Sequence, residues 1–135
     1  MTVPLAEAAG DVVRTAGRHR LGEHFAGLAE FDQFPASVQD ELLAAIIPLR
    51  AFGPALGRPG VDTLKGSIFA NMKELRFRAA NGVWRVAFAF DPHRDAILLV
   101  AGDKSGVAER AFYKRLIEKA DRRFAQHLAG IESEE

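Results

Sequence analysis

The sequence predicts an α+β fold: N-terminal helices packed on a small twisted antiparallel sheet, with a C-terminal helix. Three observations predict it. Apolar residues recur at helical spacing between residues 24 and 49, alternate with polar ones across residues 68–101, and return to a four-residue period from Val107 onward. Helices, then strands, then a helix is the order expected when helices cover one face of an antiparallel sheet. With 135 residues, 48% of them hydrophobic, the chain suits a single domain over 1–135 built on one core.

Residues 1–22 fit this pattern least. Asp11-Val12-Val13-Arg14-Thr15, between Gly10 and Gly17, reads as a short strand. His24–Phe34 reads as a first helix, because Phe25, Leu28 and Phe31 share one face and Pro35 ends it. A second helix starts near Ala36. Ser37 with Asp40 resembles a capping box, and Val38, Leu42, Ile46 and Leu49 form one apolar stripe. Pro48 predicts a kink or an early end. Residues 53–60, GPALGRPG, are loop. A meander of three strands follows over Ile68–Ala79, Val83–Phe90 and Ala96–Ala101, with turns at Asn81-Gly82 and Asp91-Pro92-His93-Arg94. Phe112, Leu116, Ala120, Phe124 and Leu128 mark the apolar side of the last helix, and residues 130–135 form an acidic tail.

Composition narrows the chemistry. Cysteine is absent, which excludes disulfides and thiolate catalysis. The first ten residues lack the basic start and apolar run of a signal peptide, and no stretch approaches the roughly 20 apolar residues of a membrane helix. A cytoplasmic protein with no membrane association is the expectation. Net charge is zero but unevenly spread. Residues 1–57 carry 4 Lys/Arg against 7 Asp/Glu, residues 58–123 carry 14 against 8, and residues 124–135 carry 0 against 3. The basic middle points to an anionic partner. His19, Glu23 and His24 are spaced one residue too widely for a helical zinc pattern, so no metal is expected. Gly102-Asp103-Lys104-Ser105-Gly106 lacks the glycine spacing of a nucleotide loop. His93 and His127 read as solvated, and no Ser-His-Asp arrangement stands out.

The strongest constellation lies on the predicted hairpin. With Asn81-Gly82 as a two-residue turn, Arg78 faces Arg85, Arg76 faces Ala87 and Glu74 faces Ala89. The other side pairs Phe77 with Val86 and Leu75 with Phe88, so it must face the core. The outer side then shows Glu74, Arg76, Arg78 and Arg85 over a floor of Ala87 and Ala89. Opposed arginines repel, and small neighbours leave a hollow that a phosphate would fill. In the purely structural alternative, Glu74 and C-terminal acids neutralise the arginines. Lys65 and Lys73 bracket the first strand, Lys104 follows the third, and Tyr113, the single tyrosine, sits beside Lys114 early on the last helix. A ring or hydroxyl there suits stacking on a base.

These segments resemble a known family. Leu56-Gly57-Arg58-Pro59, Val61-Asp62-Thr63-Leu64-Lys65-Gly66-Ser67, Asn71-Met72-Lys73-Glu74-Leu75-Arg76-Phe77 and Gly82-Val83-Trp84-Arg85-Val86-Ala87-Phe88-Ala89-Phe90-Asp91 are similar to the HigB-like branch of the RelE/ParE toxins. Ala96–Lys104 and Phe112-Tyr113 continue the match, which spans about residues 24–128. The usual opening strand is matched only by Val12-Val13. The resemblance implies a toxin of a type II toxin–antitoxin system, acting as a ribosome-dependent mRNA endonuclease. It implies a cognate antitoxin, often a helix-turn-helix protein, as partner and mRNA on the ribosome as substrate, with no cofactor. By position, Lys73, Arg76, Arg85, Lys104 and Tyr113 are the implied catalytic set, flanked by Lys65, Arg78 and Lys114 for RNA binding. The attacking group would be the RNA 2′-hydroxyl, with Arg76 and Arg85 stabilising the phosphate and Lys73 or Tyr113 moving protons. Two other classes share the fold: a ParE-like inhibitor of DNA gyrase without nuclease activity, and a catalytically decayed RNA- or antitoxin-binding module.

Overall fold

The computed structural model describes residues 12–15, 18–21, 25–28, 30–104 and 106–134, with the first three segments described through their backbone pairing. Glu23, His24 and Ser105 lie outside the described residues. The architecture is α+β. Seven strands form one sheet in the order β1-β2-β3-β7-β6-β5-β4. They are β1 Val12–Thr15, β2 Arg18–Leu21, β3 Phe25–Gly27, β4 Val61–Thr63, β5 Lys73–Ala79, β6 Gly82–Phe90 and β7 Ala96–Asp103. Helix α1 spans Ala36–Phe52 and helix α2 spans Glu109–Glu134. The β4-β5-β6-β7 portion is antiparallel throughout, and β3 joins β7 in parallel.

The two helices cover opposite faces of the sheet. On one face, Leu42, Ile46 and Leu49 of α1 pack on Leu75, Val86, Phe88 and Leu98. On the other, Phe112, Leu116, Ala120 and Phe124 of α2 pack on Ala87, Ala89, Ile97 and Leu99. The expected open hollow over Ala87 and Ala89 is therefore filled, by the chain's own last helix. Strand β6 explains this. From Val86 to Phe90 it alternates large with small rather than apolar with polar, and Arg85–Ala89 are all buried. The alanines let a helix backbone approach the sheet closely, while the large residues fill the wider gap under α1.

The hairpin turn also differs from expectation. Its loop residues are Ala80 and Asn81, with φ of 52° and 65°, and Gly82 already belongs to β6 opposite Ala79. Arg85 therefore faces Arg76, and Arg78 faces Val83. The pairing has slipped by two positions, which leaves every side chain on its predicted face. A Cβ on Gly82 would sit 2.7 Å from Oδ2 of Asp103, so any larger residue there would have to push that carboxylate aside. Ala80 accepts a left-handed conformation, a cost of about 1 kcal/mol.

Other elements are corrected too. Residues 24–34 do not form a helix: β3 runs over Phe25–Gly27 and a single 3-10 turn over Phe31–Gln33. Gly27 disfavours a helix interior, and the free edge of β7 supplies backbone partners instead. Leu28, at φ 58°, ends the strand while its N–H still reaches the Leu98 carbonyl at 2.8 Å. Strand β5 starts at Lys73 rather than Ile68. Residues 67–69 are held as a turn by Asp121 of α2, which accepts from Ser67 Oγ and from the Ile68 N–H at 3.1 Å. Strand β4 was not foreseen; it is three residues long and too short to leave a periodic signal.

Helix α1 starts after Pro35 without the Ser37–Asp40 box, since no side chain caps it. It also runs four residues past Pro48. The carbonyl that Pro48 cannot serve belongs to Ala44, on the exposed side, where water can replace the missing donor. Gly53, at φ 55°, then ends the helix. His127 is not solvated: it is largely buried in α2, and its Nε2 lies 2.8 Å from Oδ2 of buried Asp91. Asp91 Oδ1 also accepts from the N–H groups of His93 and Asp95, so one carboxylate shapes the β6–β7 turn and anchors α2 to it.

A bulge in β7 locks α2 in place. Ala87 pairs with Val100 but Phe88 with Leu98, so Leu99 is skipped and both Leu99 and Val100 point toward α2. The Leu99 carbonyl left over accepts from Arg123 Nη1 at 2.7 Å. The same guanidinium grips Glu30 through both carboxylate oxygens, at 2.9 and 2.5 Å.

Candidate functional site

Strands β5 and β6 bring two arginines face to face, and α2 adds a phenol between them. The register opposes Arg76 to Arg85 and Glu74 to Ala87. Arg85 is 9% exposed. Its Nε donates to the Tyr113 hydroxyl at 2.7 Å and its Nη1 to the Val83 carbonyl at 3.1 Å. The guanidinium carbon lies 5.9 Å from the ring centroids of both Phe112 and Tyr113. Gly102, opposite Arg85 on β7, makes room for this: a Cβ there would meet Phe112 Cε1 at 3.1 Å. The glycine thus allows the Phe112-Tyr113 turn of α2 to lie close over the strands.

Arg76 pairs with Glu74 rather than with an anion from outside. Its Nε donates to Glu74 Oε1 at 2.5 Å. Their exposures differ sharply: the Arg76 side chain is 45% exposed and that of Glu74 3%. Glu74 Oε2 is buried with no hydrogen-bond partner among the described residues. A buried carboxylate oxygen without a donor is costly, and Arg76 is the cation that offsets it. The Arg76 proton is held more tightly than usual, chiefly by its bond to Glu74. The Tyr113 phenol is pushed above its usual range, first by burial and then by the Glu74 carboxylate, with Arg85 acting in the opposite sense. Tyr113 is therefore a protonated donor at neutral pH.

The structure gathers Arg76, Arg85 and Tyr113 and adds Glu74, which the sequence shows only as a neutralising acid. Lys104 lies two residues past Gly102, at the same end of the sheet, with its Nζ 3.3 Å from Glu109 Oε1. Arg78 is exposed on the Arg76 side of β5, and Lys114 is exposed next to Tyr113. Lys65 is exposed in the turn before Gly66, where a Cβ would lie 3.4 Å from Ile117 of α2. Lys73 is set apart. It shares the alternation of Leu75, toward α1, and pairs with Phe88, so the thickness of the sheet separates it from Arg76 and Tyr113. The opposed-arginine repulsion is real, but Glu74 and Tyr113 relieve it internally.

Sequence comparison matches residues 29–125 to the model of the phage derived protein Gp49-like family (DUF891). The chain belongs to the Gp49-like family. That span includes every candidate residue named above. Two relatives come from Mycobacterium tuberculosis. The candidate toxin HigB2 is 49% identical over 92 residues, 67% of this chain and 45% of HigB2. The candidate toxin HigB3 is 51% identical over 85 residues, 63% of this chain and 72% of HigB3. The chain thus spans less than half the length of HigB2. No solved structure matches it. Among the described residues of this Gp49-like chain, no helix is long and apolar enough to cross a membrane.

Proposed function

We propose that the chain is the toxin of a type II toxin–antitoxin system and cleaves mRNA on the ribosome, in the cytoplasm, with a cognate antitoxin as its partner. The observation that carries this reading is the Glu74–Arg76–Arg85–Tyr113 cluster. It combines an exposed cation, a buried carboxylate and a protonated phenol within one patch. The likeness to the two HigB proteins supplies the toxin assignment.

The chemistry follows from exchanging Arg76 between two anions. An RNA phosphate approaching the exposed guanidinium competes with Glu74 for its fork. Once Arg76 turns to the phosphate, Glu74 is a buried carboxylate without its cation. It takes the proton of the 2′-hydroxyl. The 2′-oxygen attacks phosphorus, the bond to the 5′-oxygen breaks, and Tyr113 gives that oxygen its proton. A 2′,3′-cyclic phosphate and a 5′-hydroxyl result. Arg76 stabilises the charge that develops on phosphorus. Arg85 acts through Tyr113, as a positioning residue, and Lys73 has no part at the reacting atoms.

The test is controlled expression in a bacterium with mapping of RNA 5′ ends, for the wild type and Arg76→Ala. Growth arrest with new ends in register with codons, lost in the variant, is the expected result. Arrest without new ends defeats the nuclease assignment and points to a target such as gyrase. No arrest from a folded wild type leaves a binding module.

A further inference from the structure

Helix α2 has charges arranged against its own stability. Its 26 residues start at the catalytic cluster and run about 39 Å. Between Arg110 and Arg122 the exposed charged residues are Arg110, Lys114, Arg115 and Arg122, interrupted by the single acid Glu118. The last turn holds acids and no base. A helix macrodipole favours the opposite order, with acids early and bases late, by several tenths of a kcal/mol for each charge. Arg110 with Lys114, and Arg115 with Lys119, are also like-charged neighbours one turn apart. Among the described residues, none of Arg110, Lys114, Arg115 and Arg122 forms an ion pair. By contrast Arg123, one residue on, is fully used by Glu30 and Leu99. Basic side chains left unpaired, crowded and set against the dipole are explained by an external polyanion.

We infer that the outer side of α2 is a track for the phosphate backbone of helical RNA, led by Arg115 and Arg122, which carries the substrate complex to the cluster at the helix's N-terminal end. This rests on the ribonuclease reading and adds to it a binding surface outside the reacting groups. Arg115 and Arg122 stand two turns apart, about 10.5 Å along the axis. Both are exposed and lie on the side of α2 away from Leu116 and Ala120, so RNA can be held without disturbing the core, whereas Lys119 is half-buried beside Glu30. Contacts to phosphates alone carry no base preference. An acidic protein surface is the competing occupant, but the spread of cations along two turns suits a repeating backbone.

The experiment measures the affinity of the full chain for a 2′-O-methyl RNA duplex, which cannot be cleaved, across 50–200 mM salt. The stripe variant is Arg115→Gln with Arg122→Gln. Glutamine forms helix nearly as well as arginine, so α2 is retained. Arg50→Gln with Arg94→Gln removes the same charge elsewhere. The stripe variant is expected to weaken the salt response of binding by about 12-fold over that range, as loss of two phosphate contacts requires. The control double is expected to keep most of it. Equal behaviour of the two doubles overturns the track, as does a wild type that does not bind the duplex. A stripe variant that keeps RNA affinity but no longer co-purifies with its antitoxin also overturns it, in favour of a protein interface. If the wild type binds through the stripe while cells show no new RNA ends, the track stands and the nuclease reading falls. New ends with an unaffected stripe variant give the reverse.

Discussion

Arg76 and Arg85 are a cross-strand pair of identical residues with different work. Arg85 is buried, bonded to a hydroxyl and a carbonyl, and lies over two rings, so its removal strands polar groups inside the protein. Arg85→Ala should cost about 2 kcal/mol in urea unfolding. Arg76→Ala should abolish RNA cleavage, and its stability cost measures how far Arg76 offsets the orphaned Glu74 oxygen. A double variant with Glu74→Gln should recover much of that cost but none of the activity. Tyr113 adds a pH signature. Its phenol is raised in the folded protein, so the stability linked to it is fully present below the ordinary phenol value of about 10 and is lost as pH rises through the folded value. Stability measured between pH 8 and 11 should fall more steeply for the wild type than for Tyr113→Phe. A parallel fall in both would show that other groups control the alkaline limb. Sequence could select Arg76 and Arg85 by their alternation on the hairpin, and Tyr113 as the single tyrosine beside a basic run. It could not separate their roles, which depend on which of the two strands α2 covers.

At the scale of elements, the alternating faces of β5 and β6 were legible, and so were the boundaries of α1 and α2 to within a few residues. Alternation survives a two-residue slip, which is why the faces were right while the Arg78–Arg85 pair was wrong. The turn position goes with the pairing of β6 to both β5 and β7, a long-range register that no local pattern contains. The bulge at Leu99 was hidden for the same reason. Its consequence can be measured through Glu30. The Arg123 bond lowers the proton affinity of the Glu30 carboxylate, so the pair's contribution is present above the ordinary carboxylate value, near 4.3, and is lost as pH falls through the folded value. Glu30→Gln should cost about 1 kcal/mol at pH 7, a figure kept small because both side chains are partly exposed. The difference from wild type should shrink as the Glu30 carboxylate is protonated at low pH. A cost that persists unchanged at pH 3 would mean that packing of residue 30, rather than its charge, holds the segment.

For the whole molecule, the decisive feature is that the centre of the sheet, Arg85–Ala89 of β6 with Ala96–Val100 of β7, is buried on both sides. Read as a one-sided sheet, the sequence offers a cationic hollow open to solvent. The structure makes that hollow the seat of α2 and leaves the cationic cluster at its rim, where one end of the helix meets β5 and β6. Helix α2 therefore has two duties that pull apart: its inner side completes a core with Phe112, Leu116, Ala120 and Phe124, while its outer side keeps charges that do not help it fold. The two can be separated. Leu116→Ala, at a site 4% exposed, should cost about 3 kcal/mol through lost burial and the cavity left behind, whereas the Arg115 and Arg122 double variant should change stability by less than about 1 kcal/mol, since surface changes of this kind are small. Ending the chain after Lys104 is the stronger test. It would expose Ala87, Ala89, Ile97, Leu99 and Val100 together, a continuous apolar surface on the centre of the sheet. The truncated chain should bind a hydrophobic dye and lose cooperative urea unfolding. A truncated chain that still unfolds in one sharp transition would mean that β4–β7 and α1 form a complete domain, with α2 an appendage carrying charge alone.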